Sequence, residues 1–175
     1  HAEGYWDVSP GLGGGVFRWF ASSTSAEDGG TIFAVSGLPV GRWVRQFDGE
    51  CVDPTWFGAL GNAGNDTAAL AATFATSYHV AFTAGDYRTS EVIRVKKGTK
   101  ITGAGGGRFT QDPFRTTYIQ SRSGGKVLLD QSTSSFNGQE DGFSVQDCYL
   151  VSDCCIQQND PLVKIDDGGN SPYLM

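Results

Sequence analysis

Only one stretch of this chain, Thr67–Ser77, can be a stable helix. It holds five alanines, with Leu70 and Phe74 one turn apart and Ala71 and Ala75 widening the same face. Asn65 or Asp66 just ahead of it supplies an oxygen for the free first-turn amides, and an acid there complements the helix dipole. Elsewhere the 25 glycines of the 175 residues, with Ser, Asn and Asp, cut the sequence into runs of three to six residues rich in β-branched and aromatic side chains. Such runs form short strands joined by tight turns, so the chain is expected to be all-β with one helix. The glycines have no triplet period, which excludes a collagen-like chain.

The expected strands are regularly spaced. Val16–Phe20, Thr31–Val35 and Arg42–Phe47 come before the helix, separated by a polar loop at Ser22–Gly30 and a turn at Gly37–Gly41. Val16–Phe20 has so few charges that it reads as buried on both faces. After the helix come Val80–Phe82, Val92–Val95, Lys100–Thr102, Thr117–Gln120, Lys126–Leu129, Phe143–Gln146, Tyr149–Val151 and Leu162–Ile165. Weakly similar short strands at this pitch suit solenoid rungs, and a sandwich of short strands fits the spacing nearly as well.

The formal net charge is −6. Nucleic-acid binding needs a clustered basic face, and the only basic run is Arg94, Lys96 and Lys97. No apolar run approaches the roughly 18 residues of a membrane span, and no signal peptide is visible. The first residue is His1 rather than Met, which leaves a removed leader open. Cys51, Cys148, Cys154 and Cys155 lack a C-x-x-C pair, which argues against zinc. Buried free thiols are the preferred reading, with one disulfide as the alternative.

No residue is assigned a catalytic, cofactor-binding or metal-ligating role. Asp141, Asp147, Asp153, Asp160, Asp166 and Asp167 are the acids to weigh for glycoside chemistry. Paired carboxyls act about 5–5.5 Å apart in retaining hydrolysis and about 6.5–9.5 Å apart in inverting hydrolysis. Rungs about 4.8 Å apart could supply either spacing, so geometry selects none of these acids, and they read best as turn and strand-end aspartates. Gly103, Gly105, Gly106 and Gly107 follow a strand, but no helix begins after them and the third glycine is misplaced for a dinucleotide loop. His79 lacks a Ser or Cys partner and reads as structural, and His1 as a cloning remnant. Trp6, Trp19, Trp43 and Trp56 read as core or subunit-interface residues, although tryptophan can also stack on sugars. Asn65-Asp66-Thr67 matches a glycosylation sequon and is more simply a helix cap.

One arrangement is more specific than its parts. An extended segment ends in Trp56-Phe57-Gly58-Ala59, and a Gly/Asn loop then leads to Asp66-Thr67 and the alanine-rich helix. After it come the strand His79–Thr83, the turn Ala84–Tyr87, Glu91–Val95 and Lys100-Ile-Thr-Gly-Ala-Gly105. This order resembles the start of the right-handed parallel β-helix of the pectate-lyase-like superfamily, phage tailspikes above all. Gly4-Tyr5, Val16–Trp19, Gly29–Ile32 and Gly41–Arg45 resemble the leader that precedes it in tailspikes, although Ser9–Gly15 stands where the family has an Asp-Gly-rich loop. The resemblance spans about residues 4–165 and is strongest over 51–105.

The resemblance implies a small β leader at 1–50, then a capping helix near 66–77 and the first rungs of a right-handed parallel β-helix within 51–175. Only two or three rungs would be present, so the chain is expected to be the N-terminal piece of a longer protein. A phage tailspike binds and depolymerises host surface polysaccharide, with this part initiating the fold, trimerising and linking to the virion. Implied partners are two further copies in a homotrimer, other tail or baseplate proteins, and the host polysaccharide through the parent protein. No cofactor, nucleic acid or membrane insertion is implied, and the catalytic acids would lie beyond Met175. The alternatives are a secreted bacterial polysaccharide lyase or glucanase of the same superfamily, and a non-enzymatic attachment module. Secreted relatives often keep Asp-Asp-Thr where this chain has Asn65-Asp66-Thr67.

Overall fold

The computed structural model describes residues 1–6, 11–96, 98–105, 117–121, 128–130, 144–147, 149–152 and 163–164. Among them are thirteen strands and one α-helix, and no helix is long and apolar enough to cross a membrane.

The first three strands, β1 (Phe17–Phe20), β2 (Ile32–Ala34) and β3 (Arg42–Arg45), form an antiparallel sheet in the order β1-β3-β2. The register pairs Phe17 with Arg45, and Trp19 with Trp43 beside Phe33, so one face is aromatic. Phe17 and Phe33 meet edge to face at 5.5 Å, and Trp19 and Trp43 lie 5.3 Å apart. The loop before β2 is tied by Asp28, whose Oδ1 accepts from the amides of Gly30, Thr31 and Ile32 at 2.7–2.9 Å. The expectation that Val16–Phe20 is buried on both sides is corrected. Val16 is 55% and Phe20 40% exposed, and Arg18 between them is exposed as well. No layer among the described residues covers that side of the sheet.

A turn follows where an extended Trp56–Ala59 was expected. Pro54–Phe57 is a single 3₁₀ turn. Asp53 accepts from the Thr55 amide at 2.8 Å, proline's fixed φ suits the first position, and Gly58 ends the turn at φ 93°. The expected Gly/Asn loop is partly strand: β4 (Asn62–Asn65) pairs with β6 (Gly85–Thr89) through a register shift. The expected turn Ala84–Tyr87 is likewise shorter, because β6 begins at Gly85. Both corrections share a cause: parallel pairing, of β4 with β6 and of β6 with β4 and β9 (Thr117–Ser121), satisfies backbone that local composition would leave in loops.

Helix α1 (Thr67–Thr76) buries Leu70, Thr73 and Phe74 and packs on the 3₁₀ turn and on β7 (Ile93–Val95). Its start differs from the expected simple cap. Asn65 Oδ1 accepts from the Thr67 amide and hydroxyl, at 3.1 and 2.6 Å. Asp66 instead turns inward, is 4% exposed, and accepts from the Leu60 amide at 2.8 Å. Its own amide donates to the Arg88 carbonyl. At the far end Lys96 Nζ donates to the Ala75 carbonyl, and the ammonium lies over the Tyr78 ring.

The remaining strands are parallel and fall into three sheets. β5 (His79–Ala81), β8 (Lys100–Thr102) and β11 (Ser144–Gln146) form one. β4, β6, β9 (Thr117–Ser121) and β12 (Tyr149–Ser152) form the second. β7, β10 (Leu128–Asp130) and β13 (Val163–Lys164) form the third. From β5 onward every sheet takes each third strand. The pairing sets Val80, Ile101 and Val145 in one column, Tyr87 beside Ile119, and Ile93 beside Leu128. Val80, Ile101, Ile119 and Val95 are fully buried and join Leu70, Phe74 and Phe82 in one core. Period-two alternation sends Tyr87 and Thr89 inward and leaves Asp86 and Arg88, ion-paired at 2.6 Å, on the other face.

Phe74→Ala is expected to cost about 3–5 kcal/mol, read as a lowered denaturation midpoint, because the ring is wholly buried against Phe82 at 6.2 Å. A second expectation concerns pH. Burial raises the Asp66 carboxyl above its ordinary range, opposed first by the Leu60 amide. Such an acid favours the fold most below its unfolded pKa, about 3.9, and loses that advantage as pH rises through the folded value. Asp66→Asn keeps an acceptor for Leu60 and cannot ionise. Its stability relative to the parent protein should therefore improve as pH is raised from about 3 to 7, followed by urea melts across that range.

Candidate functional site

The most constructed feature outside the core surrounds Arg45, a residue that local pattern placed on a strand without indicating that it would be buried. It is 4% exposed. Nε donates to the Gly30 carbonyl at 3.0 Å, Nη1 to Gly14 at 2.7 Å and Nη2 to Gly13 at 2.7 Å. The guanidinium lies between two rings, 4.7 Å from the centre of Phe17 and 4.5 Å from that of Trp56. Burial lowers its pKa, and the charges of Asp53 and Asp28 act against that shift. A planar fork with a delocalised charge suits these three carbonyls and two rings; a lysine ammonium does not.

Arg45 thereby joins the antiparallel sheet to the 3₁₀ turn where the parallel strands begin. Neighbouring contacts extend the junction. Phe47 meets Trp56 at 5.1 Å, and Trp6 Nε1 donates to the Gly58 carbonyl at 2.9 Å. Close packing requires glycine at two points. A Cβ on Gly30 would come within 2.6 Å of the Phe57 ring, and one on Gly41, at φ 101°, within 2.3 Å of the Trp19 ring.

Beside Arg45 lies a cavity of about 450 Å³, lined by Tyr5, Phe17, Phe33, Trp43 and Arg45 and by the first residues of the chain. Trp43 is 43% exposed on its wall. Aromatic walls with one cationic edge suit a flat or apolar group. The wall offers no nucleophile paired with a base, and no group of three or more metal-ligating side chains occurs among the described residues.

The residues singled out from sequence are dispersed. Asp147 is exposed in the bend between β11 and β12 at φ 56°, and its carbonyl accepts from Gly105. Asp141, Asp153, Asp160, Asp166 and Asp167 lie outside the described residues. The Gly103 and Gly105 amides bond to the carbonyls of Gln146 and Asp147 and so do not form a phosphate cradle; Gly106 and Gly107 lie outside. His79 opens β5, with Nε2 3.3 Å from Thr102 Oγ1. His1 lines the cavity. The tryptophans divide: Trp56 packs against the core, whereas Trp6 and Trp43 are 46% and 43% exposed. Cys51 is a half-buried free thiol, pushed up by burial and by the charges of Asp48, Glu50 and Asp53. Cys148, Cys154 and Cys155 lie outside the described residues. The cavity had no sequence signal of its own, because its walls come from segments far apart in the chain.

Replacing Arg45 by lysine should cost at least about 2 kcal/mol, since it breaks a fork of three charge-assisted hydrogen bonds in a buried place. Urea unfolding of Arg45→Lys would measure it, and an unchanged midpoint would show that the junction carries little stability.

Comparison with known proteins bears on these features. Residues 1–48 match a family model described as the phage tail protein small four-stranded beta-sheet domain. No curated protein sequence matches the chain. Among solved structures, tailspike protein gp49 of Acinetobacter baumannii bacteriophage Fri1, a capsular polysaccharide depolymerase, superimposes with a TM-score of 0.58 at 19% identity. The match covers 80% of this chain and 27% of that one. The tailspike protein of Acinetobacter baumannii phage AM24 gives 0.52 at 20% identity, covering 81% and 28%. This chain thus spans little more than a quarter of either protein. Residues 1–48 match a phage-tail β-sheet domain, and about four fifths of the chain shares its fold with phage tailspike proteins.

Proposed function

We propose that this chain is the N-terminal part of a phage tailspike, a virion protein that binds and depolymerises host surface polysaccharide. The observation that carries the reading is the order of the parts. A segment matching a phage-tail domain leads directly into parallel strands that recur every third element in three sheets. In this reading residues 1–50 are the leader on the virion side. Residues 51–175 begin a right-handed parallel β-helix, and α1 shields its first turn. The protein is a homotrimer, and its leader contacts other tail or baseplate proteins. The phage-tail match favours this over a secreted lyase or glucanase.

The carboxylates that would cleave the polysaccharide belong, in this reading, to rungs beyond Met175. The coverage of 27% and 28% of the two tailspikes supports that division. The role left for the present residues is mechanical: to start the solenoid in register and to hold it rigidly to the leader through Arg45 and Trp56.

Native mass spectrometry of the protein from its natural source tests this. The expected result is a threefold assembly whose subunit is several times heavier than 18.6 kDa. A monomer of about this chain's own mass would sink it. Incubating the same protein with capsular polysaccharide from its host separates a depolymerase, which shortens the polymer, from a purely attaching protein, which does not.

A further inference from the structure

Two buried carboxylate oxygens stand without partners. Among the described residues, only Asp66 Oδ2 and Asp86 Oδ1 are buried side-chain polar atoms with no hydrogen bond. Buried polar groups are otherwise almost always paired, with protein, with water or with an ion. Asp66 is 4% exposed, and its other oxygen accepts from the Leu60 amide at 2.8 Å. The Asp86 side chain is 18% exposed. Arg88 sends both Nε and Nη2 to the same Asp86 oxygen, Oδ2, at 2.9 and 2.6 Å. A guanidinium fork ordinarily engages both oxygens of a carboxylate. Here Oδ1 is left over inside the protein.

The backbone brings these carboxyls to one place. The Asp66 carboxyl is held by Leu60, and the next residue, Gly61, accepts from the Asp86 amide at 2.8 Å. The Asp66 amide in turn donates to the Arg88 carbonyl at 2.8 Å. Both acids are thus tied to the two adjacent residues Leu60 and Gly61. Glycine permits the approach, because a Cβ on Gly85 would come within 2.8 Å of the Gly61 carbonyl. Burial first, and the charge of Asp86 last, push the Asp66 carboxyl up. Two like charges in a buried place repel, and a cation between them turns that repulsion into attraction.

We propose that Asp66 and Asp86 are the carboxylate ligands of a calcium site that fastens the end of β4 to β6, where the parallel strands begin. The donor set is oxygen alone, which selects a hard cation, and two carboxylates neutralise a divalent one. Magnesium demands near-ideal octahedral geometry and keeps several waters, which a place this buried does not suit. Calcium accepts irregular shells that mix carboxylates with backbone carbonyls and water. Backbone carbonyls of residues 60–66 and water complete the shell in this proposal. Because the two acids come from separate segments, binding the ion also favours the fold. The site does not depend on any polysaccharide activity.

Isothermal titration of calcium into chelator-stripped protein tests this, with magnesium titrated in parallel. Asp66→Asn and Asp86→Asn should each weaken the binding of a single calcium at least about tenfold. Asp147→Asn, at the exposed bend between β11 and β12, should leave it unchanged. Saturating calcium should raise the urea midpoint of the unsubstituted protein and not that of either of the first two variants. Asp86→Asn carries the test if Asp66→Asn does not fold, since the Asp86 side chain is partly exposed and its Oδ2 contact with Arg88 can be kept. The absence of calcium binding would overturn the proposal and leave the two oxygens to water. Calcium binding that survives both substitutions at the original affinity would overturn it, as would magnesium binding as tightly as calcium.

Discussion

The buried guanidinium of Arg45 is the constraint on which the arrangement of this chain depends. A charge removed from water is costly unless it is surrounded by partners. Here the carbonyls of Gly13, Gly14 and Gly30 and the rings of Phe17 and Trp56 supply them. Those partners come from the N-terminal segment, from β1, from the loop before β2 and from the 3₁₀ turn. Satisfying one side chain therefore positions four pieces of chain at once. The glycines are part of the same solution, because a Cβ at Gly15 would come within 2.3 Å of the guanidinium.

Beyond that junction the organising physics changes. The region of the antiparallel sheet is held by aromatic contacts and one cation, with Trp6, Phe20, Trp43 and Phe47 each at least 40% exposed. The parallel region is held by repetition, with aliphatic residues stacked in register and wholly buried at Val80, Ile101, Ile119 and Val95. Fully burying such a side chain is worth roughly 1.5–3 kcal/mol, so a column gains with every strand added. Trp56 belongs to both regimes, facing Arg45 on one side and packing against the core on the other.

Much of this was legible before any coordinates. The alanine-rich stretch with Leu70 and Phe74 one turn apart is a helix, and the alternation in Ile93–Val95 and Lys100–Thr102 reports inward and outward positions directly. The failures are equally physical. Asn62–Asn65 and Gly85–Asp86 look like turns because glycine and asparagine favour them locally, yet parallel pairing of β4 with β6, and of β6 with β9, outweighs that preference. Asp66 has the sequence signature of a cap, but its carboxylate finds the Leu60 amide while Asn65 receives the helix start. Val16–Phe20 carries too few charges to look exposed, and one of its faces is exposed nonetheless.

Sequence alone determined the class of the molecule: short strands, one helix at a known place, and the order of parts that resembles a tailspike. Hydrophobic period and glycine placement are local properties, so they survive in a linear reading. Tertiary structure alone decided which strands share a sheet, that Arg45 is buried and where the aromatic cavity forms. Each of these depends on groups from separate segments meeting at a few ångströms, as Gly13 and Gly30, 32 and 15 residues away, meet Arg45. No periodicity within a single segment encodes such meetings.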